Sequence, residues 1–179
     1  MLILFIFVKL LNNLMLKFIM SINLLKHNKK SIAIMISAKN GDLFIQKQLK
    51  SIITQTHTNI DIYISDNNSY DQTIQKINNF IHHHKLKNIF LLDGHDLHFG
   101  NNFVILAQTI SKKYDYYAFC DQDDVWNPDH TVRAIEAIEN TSKTHPTLFC
   151  SRTLLVNDAD KDIGSSKFFK KGATFKNAL

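Results

Sequence analysis

At 179 residues the chain is long enough to bury a core of its own and falls in the size range of a single domain. Hydrophobic residues at 45% and charged ones at 21%, with Gly 5 and Pro 2, exclude collagenous, low-complexity and wholly disordered classes. A net charge of +5 favours anionic partners such as phosphates or an acidic membrane surface; the lysines and arginines are scattered rather than set in a basic stripe, so no nucleic-acid partner is expected.

Residues 1–20 are strongly apolar, but Lys9, Asn12, Asn13 and Lys17 interrupt them, whereas a spanning helix needs about 20 predominantly apolar residues. A signal peptide does not fit either, because the charges follow the apolar run and no small-residue cleavage site is present. Two readings of the 1–30 extension stay open. One is an interfacial helix making peripheral membrane contact through Lys9, Lys17 and the lysines of 26–30; the other is a translated upstream extension with the working start at Met20.

From Ser31 onward, short apolar runs alternate with segments of helical period, the pattern of βαβ units and a mostly parallel sheet. Residues 32–37 read as a strand, 38–42 as a turn, and Leu43, Ile45, Leu49, Ile52 and Ile53 as the apolar stripe of a helix. A second strand at 60–65 leads through the polar turn 66–70 to a helix carrying Ile74, Ile77, Phe80 and Ile81, with Asp71 as its N-cap. A third strand at 89–92 precedes a loop, Gly100 and a helix over 101–113 with Phe103, Leu106 and Ile110 inward. After a fourth strand, Pro128 is placed in the first turn of a helix with Val132, Ile135 and Ile138 on one face. Residues 147–150 and 153–156 read as two further strands, and 161–179 as a basic, aromatic tail without a closing element. Cys120 and Cys150 each end an apolar run and are expected to be buried, reduced thiols, with no disulfide framework.

The fourth strand is the informative one: Tyr116-Tyr117-Ala118-Phe119-Cys120 runs into Asp121-Gln122-Asp123-Asp124. In open α/β sheets ligands bind outside the carboxyl ends of the strands, where the turns 37–41, 66–69 and 121–124 converge. Asp121 and Asp123, two apart in an extended turn, can address a divalent ion and a ribose hydroxyl, and Asp66 can accept hydrogen bonds from a base or ribose. A helix N-cap explains one of the three acids, Asp124, and leaves two like charges side by side. An Asx-turn is the simpler reading of Asp66 alone. His82, His83 and His84 point about 100° apart on a helix and make no chelating face. His95 and His98 flank the presumed cleft, within reach of a phosphate.

These stretches together resemble the inverting family 2 glycosyltransferases of the GT-A fold, nearest to bacterial rhamnosyltransferase-like and polysaccharide-assembly members. The resemblance rests on SIAIMISAKNGD (31–42), QLKSIITQTH (48–57), IYISDNNSYDQT (62–73), GNNF (100–103), FCDQDDVWNPD (119–129) and the weaker 155–165. It implies a Rossmann-like nucleotide-diphospho-sugar transferase sheet with helices on both faces, C-terminally incomplete, over a domain 31–179. It further implies that Ser37, Ala38, Lys39, Asn40, Asp66, Asn67, Asn102, Asp121, Gln122 and Asp123 hold the nucleotide sugar. Asp66 and Asn67 would take the base, Asp121 the ribose, and Asp123, with Asp121, an Mg2+ or Mn2+ ion bridging the diphosphate. Asp124 and Trp126 would shape the pocket. The donor would be UDP- or dTDP-linked and the acceptor a glycan or lipid-linked molecule in cell-surface polysaccharide synthesis, on the cytoplasmic side of the membrane.

Two departures stand out. The usual Pro-Thr-Tyr-Asn turn is here Ser37-Ala38-Lys39-Asn40, with lysine where a tyrosine helps frame the base, and Asn67 replaces a commoner aspartate. Family members also continue beyond the equivalent of residues 175–179 into an acceptor-binding half that carries the carboxylate general base. No catalytic residue is therefore assigned, and the chain alone is expected to transfer sugar poorly or not at all. The alternatives are a nucleotide-binding, non-catalytic remnant or split subunit, and a haloacid-dehalogenase-type phosphatase reading Asp121 to Val125 as DxDxV.

Overall fold

A computed structural model of the chain describes residues 29–94, 99–110, 112–141, 144–157 and 159–167. Nearly all of the extension 1–30, His95, His98 and the tail beyond 167 lie outside the described residues. The chain divides at Glu136/Ala137 into two compact units.

Through the first unit the elements alternate as the sequence predicts: β1 (Ile32–Ala38), α1 (Ile45–Ile53), β2 (Ile60–Asp66), α2 (Thr73–His84), β3 (Ile89–Asp93), α3 (Phe99–Thr109), β4 (Tyr116–Asp121) and most of α4 (His130–Glu139), whose last residues fall past the division. The four strands form one parallel sheet in the order β3-β2-β1-β4. Every residue of β1 is buried, which explains why Ile-Ala-Ile-Met-Ile-Ser-Ala is nearly uninterrupted apolar sequence rather than alternating. Its Ile32, Ile34, Ile36 and Ala38 pack with Ile60, Ile62 and Ile64 of β2 against Ile45, Leu49 and Ile52 of α1, Ile77 and Phe80 of α2, and Ile135 of α4. The other face meets α3, where Leu106 is buried, Phe103 lies edge-on to Phe119 of β4, and Asn102 reaches Ser37. Helices thus cover both faces, and the strand order reverses between β1 and β4. The seam of those two strands is also clamped at its start, where the Ser31 backbone N–H and hydroxyl both bond the Asp115 carboxylate, at 2.9 and 3.0 Å.

Several helix boundaries shift. The second helix begins at Thr73, and Asp71 serves it from two residues earlier, accepting the Thr73 backbone N–H at 2.9 Å. α3 stops at Thr109, short of Ile110 and Lys113. Pro128 precedes α4 in a turn rather than sitting inside its first turn, and its carbonyl accepts the Thr56 N–H. The triplet His82, His83 and His84 forms the last turn of α2.

In the second unit β5 (Leu154–Val156) pairs antiparallel with β6 (Asp162–Ser165), and the Arg152 guanidinium bonds the Ser166 carbonyl beneath the hairpin. Two expectations are corrected here. Residues 147–150 form no strand, because an apolar run becomes one only where a neighbouring strand satisfies its N–H and C=O groups, and no described strand lies beside it. Part of the supposed tail, 162–165, is a strand: Asp-Ile-Gly-Ser has no apolar alternation, but it lies one tight turn away from β5. Cys150 is accordingly exposed, against the buried thiol expected, while Cys120 is buried. Of the two thiols, Cys150 is therefore expected to react at once with a disulfide reagent and Cys120 only on unfolding, as timed thiol titration with and without denaturant would measure.

Candidate functional site

The carboxyl ends of β1, β2 and β4 lie side by side: Ala38 is in register with Asp66, and Ser37 with Asp121. Because β1 feeds β2 on one side and borders β4 on the other, the turns after β1 and β4 open onto the point where the strand order reverses. All the sequence-predicted residues come from these strand ends and from α3, and three different kinds of local chemistry hold them.

The turn after β1 is laced to the turn after β2. Asn40 takes up a left-handed conformation, φ 49°, which asparagine tolerates better than most residues. Its backbone N–H donates to Ser69 Oγ at 2.9 Å, and its side-chain carbonyl accepts the Tyr70 N–H at 3.0 Å. Gly41 N–H bonds Thr73 Oγ1, and Asn67 N–H bonds the Ala38 carbonyl. Asp66 is only 7% exposed. One of its oxygens, Oδ2, accepts the Ser69 N–H at 3.0 Å, the Asx-turn bond. The other, Oδ1, is buried and has no hydrogen-bond partner among the described residues. An unpartnered buried acceptor is costly, so Oδ1 is open to an N–H or O–H donor from outside the protein. Behind it, Gly94 N–H bonds the Asp66 carbonyl, and a Cβ on Gly94 would lie 2.1 Å from that oxygen, which requires glycine there.

Asn102 is fully buried on α3 and spans the ends of β1 and β2, donating to Ser37 Oγ at 2.7 Å and accepting from Ser65 Oγ at 2.8 Å. Its amide is therefore used by the protein itself, as is the Ser37 hydroxyl; Ala38 is wholly buried and contributes backbone.

The acidic turn is held from two sides. Gln122 lies against the β1 turn, accepting the Lys39 N–H at 2.9 Å and donating to the Lys39 carbonyl at 3.0 Å. From below, α1 contributes Gln48, whose amide bonds the Cys120 sulfur, and Ser51, whose Oγ accepts the Trp126 N–H, while Gln55, two residues past the helix, grips the Asn127 carbonyl and the Thr131 N–H. Sequence reasoning left these three residues without a role. For Gln48 and Ser51 the signal is spacing, since they fall at i and i+3 on the face of α1 whose buried positions should otherwise be apolar. Trp126 itself packs on the core cluster beside His130.

Asp121, Asp123 and Asp124 keep solvent access, and among the described residues none of them pairs with a lysine or arginine. Partial burial raises the Asp121 carboxyl above its ordinary value, and the charges of Asp124 and Asp123 push it further; burial and then Asp123 do the same for Asp124. Burial also pushes the Cys120 thiol upward, so it is an inert neighbour rather than a nucleophile. The donor set is hard oxygen, the type that Mg2+ and Mn2+ prefer. No cluster of three or more metal-binding side chains stands ready among the described residues.

The family model described as glycosyl transferase family 2 matches residues 33–171. The chain belongs to that family. A dTDP-rhamnosyl transferase of Shigella flexneri is 37% identical over 101 residues, covering 55% of this chain and 35% of its own length. An uncharacterized glycosyltransferase of Haemophilus influenzae is 26% identical over 148 residues, 83% of this chain and 44% of that one. The chain thus spans roughly a third to under a half of the curated relatives it matches. Among solved structures, the mannosyltransferase PcManGT of Pyrobaculum calidifontis, in complex with GDP-Man and Mn2+, superposes with a TM-score of 0.55 at 14% identity, over 60% of this chain and 32% of that one. TarS of S. aureus with UDP superposes at 0.51 and 19% identity, over 61% and 32%. These likenesses establish the GT-A type of fold. With family membership, the phosphatase alternative for Asp121 to Val125 falls away. No helix among the described residues is long and apolar enough to cross a membrane.

Proposed function

We propose that the chain is the donor-binding portion of an inverting, divalent-ion-dependent glycosyltransferase of cell-surface polysaccharide assembly. Its donor is a dTDP- or UDP-linked sugar and its acceptor a glycan or lipid-linked hydroxyl. The observation that carries this reading is the buried Oδ1 of Asp66, without a partner among the described residues, one strand away from three carboxylates that no described lysine or arginine neutralises. An imide N–H of uracil or thymine is the complement of a single open carboxylate oxygen, and Asn67 lies beside it. Across β1, Asp121 faces the ribose, and Asp123 with Asp121 holds Mg2+ or Mn2+. When bound, that ion neutralises charge on the departing diphosphate. The dTDP-rhamnosyl relative and the UDP and Mn2+ complexes of structural neighbours support the reading. We assign no general base within this chain, so binding and transfer are separate questions. Peripheral membrane contact through 1–30 and a cytoplasmic location belong to the same proposal.

Calorimetry with UDP, dTDP, CDP and GDP, with and without Mn2+, tests it. The pyrimidine diphosphates that carry an imide N–H bind, CDP binds worse, and Mn2+ strengthens the affinity. Asp66→Asn keeps an acceptor for Ser69 but replaces the open oxygen with a donor that faces the base. It weakens dTDP or UDP binding about ten- to hundredfold, the loss expected for one hydrogen bond to a charged group, without abolishing the ion's effect. Absence of binding by the wild-type chain, or indifference to Asp66→Asn, overturns the donor assignment.

A further inference from the structure

The two halves of the site, the base side at Asp66 and the ion side at Asp121 to Asp124, come from loops that need not touch, yet one side chain ties them together. The β1–β4 ladder ends at Ser37 and Asp121. One residue further on, the Gln122 amide continues it, taking the Lys39 N–H at 2.9 Å and giving a hydrogen to the Lys39 carbonyl at 3.0 Å, as a paired strand residue would. Only one orientation of the amide serves both groups, so the side chain is fixed. Gly41 completes the arrangement: a Cβ there would lie 2.2 Å from Gln122 Oε1 and 2.5 Å from Cδ, so this glycine is what lets the amide lie over the turn. From the clasped turn the bonding continues through Asn40 to Ser69 and Tyr70, and through the Ala38 carbonyl to Asn67, which brackets Asp66.

We propose that Gln122 is a positioning residue that couples the ion-binding acids to the base-binding turn, so that an ion on Asp121 and Asp123 strengthens base binding through the protein and not only through a shared diphosphate. This rests on the donor-site reading above. Three like charges crowd the 121–124 turn, and an ion that neutralises them holds that turn still. Gln122 passes the restraint to Lys39–Gly41, so the base then binds a turn already ordered. The Gln122 amide touches neither ion nor base in this role.

Two substitutions break the clasp from opposite sides. Gln122→Ala removes the amide, and Gly41→Ala displaces it, since the three atoms nearest the added methyl all belong to Gln122. Each is expected to weaken dTDP or UDP binding about three- to tenfold, the range for one or two neutral hydrogen bonds. The double variant should be no weaker than the worse single one, because both remove the same contact. A nucleoside separates coupling from bridging: thymidine and uridine carry no phosphate to share with the ion. By NMR titration, Mg2+ strengthens nucleoside binding to the wild-type chain and leaves it unchanged in Gln122→Ala, while Mg2+ still strengthens diphosphate binding there. Circular dichroism melts confirm that the variants are folded. If the two losses multiply in the double variant, or if Mg2+ fails to affect nucleoside binding to the wild type, the coupling is overturned and the donor site stands. If the wild type binds neither nucleotide, the donor reading falls and takes this one with it.

Discussion

Replacing Asp123 with alanine removes the strengthening of dTDP or UDP binding by Mn2+ and leaves only the affinity that base and ribose contacts supply. Three carboxylates follow the buried Cys120 at the end of β4 with no lysine or arginine beside them among the described residues, and partial burial followed by mutual repulsion raises two of them. No described residue of the sheet relieves that repulsion; a divalent ion would. Loss of a charged oxygen ligand is no smaller than loss of a charged hydrogen bond, so affinity in Mn2+ falls at least about ten- to hundredfold. The pH dependence has a definite sign. Protons compete with the ion for Asp121, whose folded value is raised, so the benefit of Mn2+ is expected to fade with falling pH sooner than it would for ordinary carboxyls. Stability of the ion-free chain moves the opposite way. A carboxyl with a folded pKa above its unfolded one binds protons better when folded, so stability rises as pH falls from the folded value to the unfolded one. Asp121→Asn should therefore melt higher than wild type at neutral pH without ion and gain less from Mn2+. Calorimetry and melting curves across pH check both halves. An undiminished Mn2+ effect in Asp123→Ala would place the ion elsewhere.

The parts of this fold that the sequence reveals are those whose identity depends on burial alone. β1 reads directly because a strand covered on both faces must be apolar, and β2 keeps its isoleucines while Asp61 and Tyr63 stay half-buried; the run ending at Cys120 announces its acids although β4 leaves Tyr117 and Phe119 exposed, because carboxylates crowded at a strand end stand out whether or not the strand is buried. Residues 147–150 look the same on the page but find no partner strand, and 162–165 finds one without looking like a strand, since hairpin pairing depends on nearness and not on apolarity. The same division runs through the site. Asp66 and Asp121 to Asp124 are legible because charge at a strand end demands a reason. The amides and hydroxyls of Gln48, Ser51, Gln55 and Gln122 are not, because what they do depends on which backbone group folding brings within 3 Å. Asn102 lies between the two cases. Its resemblance-based place in the donor site and its observed place as a bridge between strand ends are compatible, since a bridge there sets where Ser37 and Asp66 stand.

That bridge carries a large expected effect on the stability of the first unit. Asn102→Ala strips the partners from Ser37 Oγ and Ser65 Oγ where water does not reach, and it leaves a hole the size of an amide. Each orphaned buried group costs about 1–3 kcal/mol, and the serines recover part of this by turning toward each other, so a net loss of about 2–4 kcal/mol is expected. The single tryptophan, Trp126, packs on the core cluster and provides the fluorescence signal for denaturant unfolding. Asn102→Asp separates shape from hydrogen bonding. It fills the space, but it loses the donor to Ser37 and places a carboxyl where no charge is solvated, so its folded pKa is raised by burial. By the sign rule applied to Asp121, this variant is closest to wild type in acid and loses stability as pH rises from the ordinary carboxyl range to that raised value, whereas the alanine variant shows no such added slope. Ligand linkage connects the two roles. If the bridge sets the geometry around Asp66, nucleotide that stabilises the wild-type chain by its binding free energy stabilises Asn102→Ala by less at the same concentration. Equal stabilisation of both would confine Asn102 to packing and leave the strand ends placed by the sheet alone.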